Sequence, residues 1–306
     1  MNARRTTASL ALGCLLFAMP GEAQDSLPPN PPTVVAAQDL LMRANTARAA
    51  HGVSPLRLEE HLSAMAQRRA EEQARAGMLV RSLDSMGLLE RTQAAGYEPH
   101  SIAELLASTS SGIPELFAEW ERGSSKSYRE LLAPEAKDLG AGTARADGVT
   151  YVSLLVGLAL PDFFRQQTAG LQDLAAMRQE MLATTNAARM EAHRVALTLE
   201  PHLVDCAQKY ARLMLQSSHY GHVAPDGTTV RERAQAAGYG DFTALGENIA
   251  QGQFSVAEVM DGWLHSPAHR ENLLSPLYRD VGFGVAFGHD ANGWEVLWVQ
   301  CFGSPR

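Results

Sequence analysis

The chain has 306 residues, a length typical of about two domains. Hydrophobic residues make up 45% of it and charged residues 20%, which is ordinary for a soluble globular protein and leaves enough apolar material for a core in each half. The formal net charge is −8, and there is no basic block or zinc-finger spacing. Composition therefore argues against binding to nucleic acid.

The first residues, 1–23, have the pattern of a cleaved signal peptide. Arg4 and Arg5 precede an apolar stretch (8–19) that is too short to span a bilayer comfortably, and Ala23 is a small residue before a polar, Pro-rich run. We predict export to the periplasm or the extracellular space, with no transmembrane segment after cleavage. A retained membrane anchor is the alternative.

Three cysteines occur in the chain. Cys14 gives a faint likeness to a lipoprotein processing site, but most of the apolar run follows it, so we assign it to the discarded peptide. Cys206 and Cys301 remain, and an even number of cysteines in an exported chain suggests one disulfide. Two buried free thiols are the alternative.

The two halves of the chain repeat each other in sequence. Five segments match in the same order, at a spacing that drifts by only a few residues, and chance is a poor explanation for such an ordered set. The matched pairs are 45–48 with 186–189, 61–62 with 202–203, 93–97 with 235–239, 129–134 with 270–276, and 138–142 with 280–284.

The repeat defines the domain organisation. We predict an extended Pro-rich leader over 24–35, a first domain over 36–160, a linker over 161–177 and a second domain over 178–306. Within each domain, helical periodicity comes first and an antiparallel hairpin follows, with a turn signal at 290–293 in the second. Helices covering a small sheet on both faces would bury these apolar runs, so we predict an α+β fold of two α/β/α sandwiches, each with a small antiparallel sheet between helices.

The second half also carries several specific motifs. They are NAAR at 186–189, HVAPDG at 222–227, GENIA at 246–250, WLHSPAHREN at 263–272 and YRDVGFG at 278–284. With these motifs, residues 181–306 resemble the CAP superfamily of secreted proteins, which groups cysteine-rich secretory proteins, antigen 5 and plant pathogenesis-related proteins. The likeness is greatest to its bacterial branch, whose members carry the SCP domain. The resemblance implies an α/β/α sandwich with an open cleft.

The resemblance also implies which residues line that cleft. Many family members place two histidines and two acidic residues there, and some bind a divalent cation. His222, Glu247 and His269 match three of these positions. The second acid usually follows the tryptophan of the third helix, but Ser266 stands three residues after Trp263, so that acid is missing.

The residue types leave the role of this cleft open. Neutral imidazoles and a carboxylate suit Zn²⁺ or another divalent cation, but Glu247 could instead hold an imidazole in one tautomer without touching metal. Glu258 could replace the missing acid or belong to a solvated helix face. Asn248 is expected to shape the loop by hydrogen bonding, and Ser266 is a weak candidate for a nucleophile. No catalytic residue is assigned.

The first half lacks both histidines of the cleft. Val80 and Tyr128 stand in their places, and Leu105 follows Glu104, which matches Glu247. We predict a degenerate first copy whose fold is kept for packing or partner contact. A different site in that copy is the alternative.

Three functions fit these observations. The resemblance implies a non-enzymatic binding protein for a lipid, an envelope component or a protein, and this interpretation is favoured because no HExxH, GxSxG, phosphate-binding or dinucleotide motif is present. A metal-dependent hydrolase, a peptidase or cell-wall enzyme, would use His222 and His269 to hold the ion and Glu247 as general base. A structural interaction module would need none of the three.

Overall fold

The computed structural model describes residues 31–80 and 86–306, with side chains from residue 35 onward. The predicted signal peptide (1–23), with Cys14, and the leader up to residue 30 lie outside the described residues. Within the described residues, no helix is long and apolar enough to cross a membrane.

The first copy contains five helices and four strands among its described residues. In chain order they are α1 (Pro31–Ala50), β1 (Arg57–Leu58), α2 (Glu60–Ala76), α3 (Leu88–Ala94), β2 (Pro99–Thr109), α4 (Ile113–Arg122), α5 (Lys126–Leu131), β3 (Asp138–Ala146) and β4 (Val149–Ala159). A connecting helix, α6 (Leu160–Gln167), and a short 3₁₀ turn (Ala169–Leu171) lead to the second copy.

The second copy repeats the same order of elements. They are α7 (Leu174–Glu191), β5 (Thr198–Leu199), α8 (Pro201–Gln216), α9 (Val230–Ala236), β6 (Phe242–Gln251), α10 (Val256–His265), α11 (Pro267–Leu274), β7 (Asp280–Asp290) and β8 (Gly293–Pro305). The β7–β8 hairpin turns at Ala291 and Asn292, inside the predicted turn at 290–293.

Each copy is built around one four-stranded sheet, in the orders β1-β3-β4-β2 and β5-β7-β8-β6. The three long strands pair antiparallel, whereas β1 and β5 add a two-residue parallel pairing at one edge. Buried apolar clusters lie on both faces, and in the second copy one is formed with α7, α10 and α11 and the other with α8 and α9. The predicted α/β/α sandwich is confirmed. The sequence predicted only the antiparallel hairpin of each sheet. It did not predict the parallel edge strands β1 and β5 or the antiparallel strands β2 and β6.

Glycines on β3 and β7 let a helix lie directly on each sheet. A Cβ at Gly282 would stand 2.1 Å from the backbone carbon of Leu203, and one at Gly140 would stand 2.4 Å from that of Leu62. Real Cβ atoms do not approach backbone so closely, and any side chain here would push the helix away. The glycines shared by the two copies therefore set the distance between α2 or α8 and its sheet.

The repeated Asn and Arg side chains hold the loops at one end of each copy. Asn186 bonds both ways with the backbone of Leu197, as its amide nitrogen donates to the carbonyl and its oxygen accepts the N–H. Arg189 is fully buried and donates to the carbonyls of Leu273 and Ser275 near the end of α11. Arg48 makes equivalent bonds in the first copy. These residues satisfy carbonyls that a helix end leaves unpaired.

Helices cover parts of the two segments that the sequence assigned to a leader and a linker. Residues 31–35 of the predicted extended leader form the first turn of α1, where proline is tolerated because its missing N–H would have no helical partner. The predicted linker (161–177) contains most of α6. Asp162 pairs with Arg57 of the first copy, and Phe164 packs in the apolar cluster of the second.

Candidate functional site

The residues predicted to line the cleft of the second copy lie around Glu247, whose side chain is only 3% exposed. Glu247 lies on β6, and Gly246 before it allows the close approach of Tyr278, whose hydroxyl oxygen would be 2.2 Å from a Cβ at that position. The structure brings His222 and Glu247 into direct contact, with 2.9 Å between Nδ1 and Oε1. Because a carboxylate only accepts, Nδ1 of His222 carries the proton and Nε2 is turned away from Glu247.

Arg233 occupies the other oxygen of Glu247. This residue of α9 was not among the predicted site residues. Its Nη2 lies 2.6 Å from Oε2 of Glu247, and its side chain is only 9% exposed. The guanidinium also lies over the ring of Tyr210, 3.4 Å from the centroid, and donates to the carbonyls of His222 and Thr228. Arg233 therefore neutralises Glu247 and holds the loop that carries His222.

A second polar network positions His269. Asn248 is fully buried, and its amide nitrogen donates to the carbonyl oxygen of His269 and to Oε1 of Gln300. Asn272 of α11 donates to the carbonyl of Glu247 and to the side-chain oxygen of Asn248. These bonds fix α11, which carries His269, against β6, which carries Glu247.

The remaining predicted residues lie beside this arrangement. Ser266 is the residue between α10 and α11, and its hydroxyl lies 2.9 Å from Nδ1 of His269. Glu258 is in the first turn of α10, where its carboxylate accepts the N–H of Phe254. That bond fits the expectation of a helix-face residue better than that of a replacement acid, because the carboxylate bonds to the backbone just before the start of α10.

The pKa values of the two imidazoles are shifted in opposite directions. The hydrogen bond to Glu247 raises the pKa of His222. Burial lowers the pKa of His269, and the charge of nearby His222 lowers it further. We expect His222 to be the imidazole that charges first as pH falls, with His269 neutral beside it.

This order gives a test by NMR. In a pH titration of the histidine ring resonances, His222 should titrate at higher pH than His269, and Glu247→Gln should lower the value for His222 because it removes the carboxylate charge. A raised folded-state pKa means that the His222–Glu247 contact stabilises the fold at low pH and that this contribution is lost as pH rises through that pKa. His269 titrating above His222 would contradict the assignment.

A metal ion at this site would need nitrogen or oxygen ligands that are not already bonded to other side chains. Both oxygens of Glu247 are bonded, one to His222 and the other to Arg233. Nδ1 of His222 is bonded to Glu247 and Nδ1 of His269 to Ser266, so the Nε2 atoms of the two histidines remain outside these bonds. Across residues 31–80 and 86–306, no group of three or more His, Cys, Asp or Glu is placed to hold a metal ion. The residues as arranged do not fit a three-ligand zinc site. Cation binding at this cleft stays a prediction.

The first copy keeps the acid, as a partly buried Glu104, and replaces its partners. Glu104 lies 3.2 Å from Nε of Arg69 and 3.6 Å from Nη2 of Arg91. Arg91 matches Arg233 in the repeat, whereas Arg69 stands at the place of Tyr210 and donates to the carbonyl of Val80. An arginine has thus taken over the contact that His222 makes in the second copy. Two cations hold Glu104, and no imidazole remains.

The buried amide network has also been exchanged for apolar packing. Asn248 faces Gln300 across the β6–β8 ladder, and the same register in the first copy pairs Leu105 with Leu154. Replacing both partners of a buried hydrogen bond by apolar groups avoids an unsatisfied polar atom. The first copy therefore keeps the fold, with apolar packing in place of the buried amide pair.

Two copies of one α/β/α unit define a duplicated-domain protein, and the candidate site lies in the second copy, where His222 contacts Glu247. The model of the cysteine-rich secretory protein (CAP) family matches residues 41–158 and 182–302, which is more than half of the chain. The chain belongs to this family. The resemblance found in the sequence is confirmed, and it holds for both copies.

Relatives are known from bacteria. The chain is 28% identical over 135 residues to the uncharacterized protein YkwD of Bacillus subtilis, covering 44% of this chain and 50% of that protein. It is 28% identical over 107 residues to the uncharacterized membrane protein YlbC of the same organism, covering 35% of this chain and 31% of that protein. The chain thus spans half or less of the length of these curated relatives.

Among solved structures, the chain is similar to an outer surface protein of Borrelia burgdorferi. The TM-score is 0.36 at 22% identity, covering 41% of this chain and 90% of that one. It is also similar to an SCP-domain extracellular protein of Bacillus anthracis, with a TM-score of 0.38 at 22% identity, covering 52% of each chain.

Proposed function

We propose that the chain is an exported, non-enzymatic binding protein, and that the cleft of its second copy contacts a polar component of the cell envelope through His222 and His269. The observation that carries this proposal is the burial and pairing of the Glu247 carboxylate. This carboxylate is buried and bonded to Arg233 and His222, so it is not free to take a proton from a water molecule. Export rests on the pattern of residues 1–23.

The exposed groups of the cleft favour an anionic ligand. The side chain of His222 is 59% exposed, and its Nε2 is turned away from the bonded carboxylate. The pKa of His222 is raised by that carboxylate, so the ring presents a charged N–H donor under mildly acidic conditions. Such a donor pairs with a carboxylate or phosphate better than with an apolar chain. Envelope polymers carry both groups.

Co-sedimentation with purified bacterial sacculi tests this proposal. The full chain should sediment with sacculi, and the His222→Ala/His269→Ala variant should bind at least about tenfold more weakly, because each hydrogen bond to a charged group contributes about 1.5–3 kcal/mol. Binding should strengthen as pH falls through the pKa of His222. His202→Ala is the matched control, since His202 forms an exposed pair with Glu200 at 2.7 Å in the same domain.

Three outcomes would overturn the proposal in different ways. Equal sedimentation of the double variant would favour an interaction module that does not use the cleft. Binding of the parent to phospholipid vesicles instead of sacculi would favour a lipid ligand. Release of soluble fragments from the sacculi, lost in Glu247→Gln, would favour a hydrolase.

A further inference from the structure

Two buried thiols lie close together in the second copy. Cys206 on α8 and Cys301 on β8 are both free, and their sulfur atoms lie 3.7 Å apart. Cys301 faces Glu247 across the β6–β8 ladder, so the thiol pair lies directly next to the strand that carries the buried acid. A disulfide has its sulfurs at about 2.05 Å, so the two sulfur atoms must come closer to close this one.

The first copy shows that the fold does not need cysteine at these places. Met65 stands on α2 where α8 has Cys206, and Leu155 faces Glu104 where Cys301 faces Glu247. Both residues belong to one apolar cluster. The same contact between helix and sheet is therefore filled by ordinary hydrophobic packing in the first copy. The thiol pair occurs in the copy that keeps the histidines.

The two thiols differ in their access to solvent. A cavity of about 240 Å³ between α8 and α9 is lined by Cys206, together with Tyr210 and Arg233. Cys301 is not among the residues that line it, and it is completely buried within the sheet. A small reagent entering this cavity reaches the residue Cys206 and not Cys301.

The charges around the pair support the same asymmetry. The hydrogen bond with Cys301 lowers the pKa of the Cys206 thiol, burial opposes this effect, and the positive charge of Arg233 lowers the pKa further. The hydrogen bond with Cys206 and burial raise the pKa of Cys301 well above its ordinary value. Since the thiolate is the nucleophile in exchange reactions, Cys206 is the reactive member.

We propose that Cys206 and Cys301 form a disulfide that ties α8 to β8, and that Cys206 is the sulfur through which it forms. The thiolate of Cys206 attacks one sulfur of an external disulfide, forming a mixed disulfide and releasing one thiolate. Cys301 then attacks the Cys206 sulfur and displaces the second thiolate. The two protein thiols lose two electrons and two protons, and the external disulfide becomes two thiols. The bridge closes a span of 95 residues.

Reaction with 2-hydroxyethyl disulfide tests the proposal on the full chain carrying Cys14→Ser, in which the pair are the only thiols. In the folded protein both thiols should disappear, and peptide mapping should recover a Cys206–Cys301 crosslink. Cys301→Ala should stop at a mercaptoethanol adduct on Cys206. Cys206→Ala should resist modification. The crosslink should also raise Tm by several degrees, as closing a long loop does.

The proposal fails if both thiols of the folded parent survive the reagent, or if Cys301 in Cys206→Ala reacts faster than Cys206 in Cys301→Ala. If the alanine variants do not fold, the order of attack is read from the parent alone. Acid quenching at early times should then trap the mixed disulfide on the Cys206 peptide, and trapping on the Cys301 peptide would overturn the assignment.

Discussion

Replacing Arg233 by methionine is expected to destabilise the chain by about 3–5 kcal/mol, measured by urea denaturation at a pH above the pKa of His222. The reason is the burial of the Glu247 carboxylate, for which Arg233 is the permanent cationic partner among the described residues. Removing one member of a buried ion pair leaves the other desolvated and uncompensated. At lower pH, protonated His222 replaces part of the lost charge, so the penalty should shrink.

The double variant Arg233→Met/Glu247→Gln is the control for this loss. It should recover most of the stability, because it removes both charges together. Arg91→Met in the first copy should cost less than Arg233→Met, since Arg69 still pairs with Glu104. A loss below about 1 kcal/mol for Arg233→Met, the range of an exposed ion pair, would mean that Glu247 is not held as described.

Gly282→Ala is expected to lower the free energy of unfolding by about 1–3 kcal/mol or more. The added methyl group would stand 2.1 Å from the backbone of Leu203, so α8 must move away from β7. This helix also carries Cys206 and Tyr210, so the cleft and the thiol pair should be disturbed together. Chemical denaturation gives the stability, and the reactivity of Cys206 reports the displacement.

The matched control is Gly262→Ala on α10. A Cβ at Gly262 meets nothing within 4 Å, and alanine in a helix is favoured over glycine by about 0.5–1 kcal/mol. This variant should therefore be slightly more stable than the parent. If Gly282→Ala were as stable as Gly262→Ala, the close packing of α8 on β7 would be incorrect.

The sequence was sufficient to predict the repeat and the layers, because glycines and buried polar residues recur in the same order in both copies. It did not reveal β6, the strand that carries Glu247 and Asn248. The segment FTALGENIAQ mixes glycine and polar residues with apolar ones, so it lacks the alternation that marks a half-buried strand. Its polar residues are buried by partners from α9, α11 and β8, which local sequence does not show.

Arg233 was missed although a signal for it existed. Glu90-Arg91 in the first copy matches Glu232-Arg233 in the second, separated by one residue from the repeated segment at 93–97 and 235–239. An arginine kept in both copies while the histidines changed points to a partner also kept in both, which is the matching glutamate. The change from Tyr210 to Arg69 could not be interpreted from sequence, because its meaning depends on the distance between α2 and β2.

The distance between Cys206 and Cys301 was also beyond the sequence. The residues are 95 positions apart, and only the packing of α8 on the sheet brings their sulfurs to 3.7 Å. An even cysteine count suggested a pair, but the unequal access of the two thiols depends on the gap between α8 and α9. The asymmetry is therefore a property of the tertiary structure.

Calorimetric titration of zinc into the full chain and into Glu247→Gln tests most directly whether Glu247 is committed to Arg233 and His222. We expect the two proteins to give the same titration curve, with no binding at micromolar affinity or tighter, because the carboxylate is not free to act as a ligand. Micromolar or tighter binding by the parent that is lost in Glu247→Gln, with the fold of both verified by circular dichroism, would contradict the account and place Glu247 in a metal site.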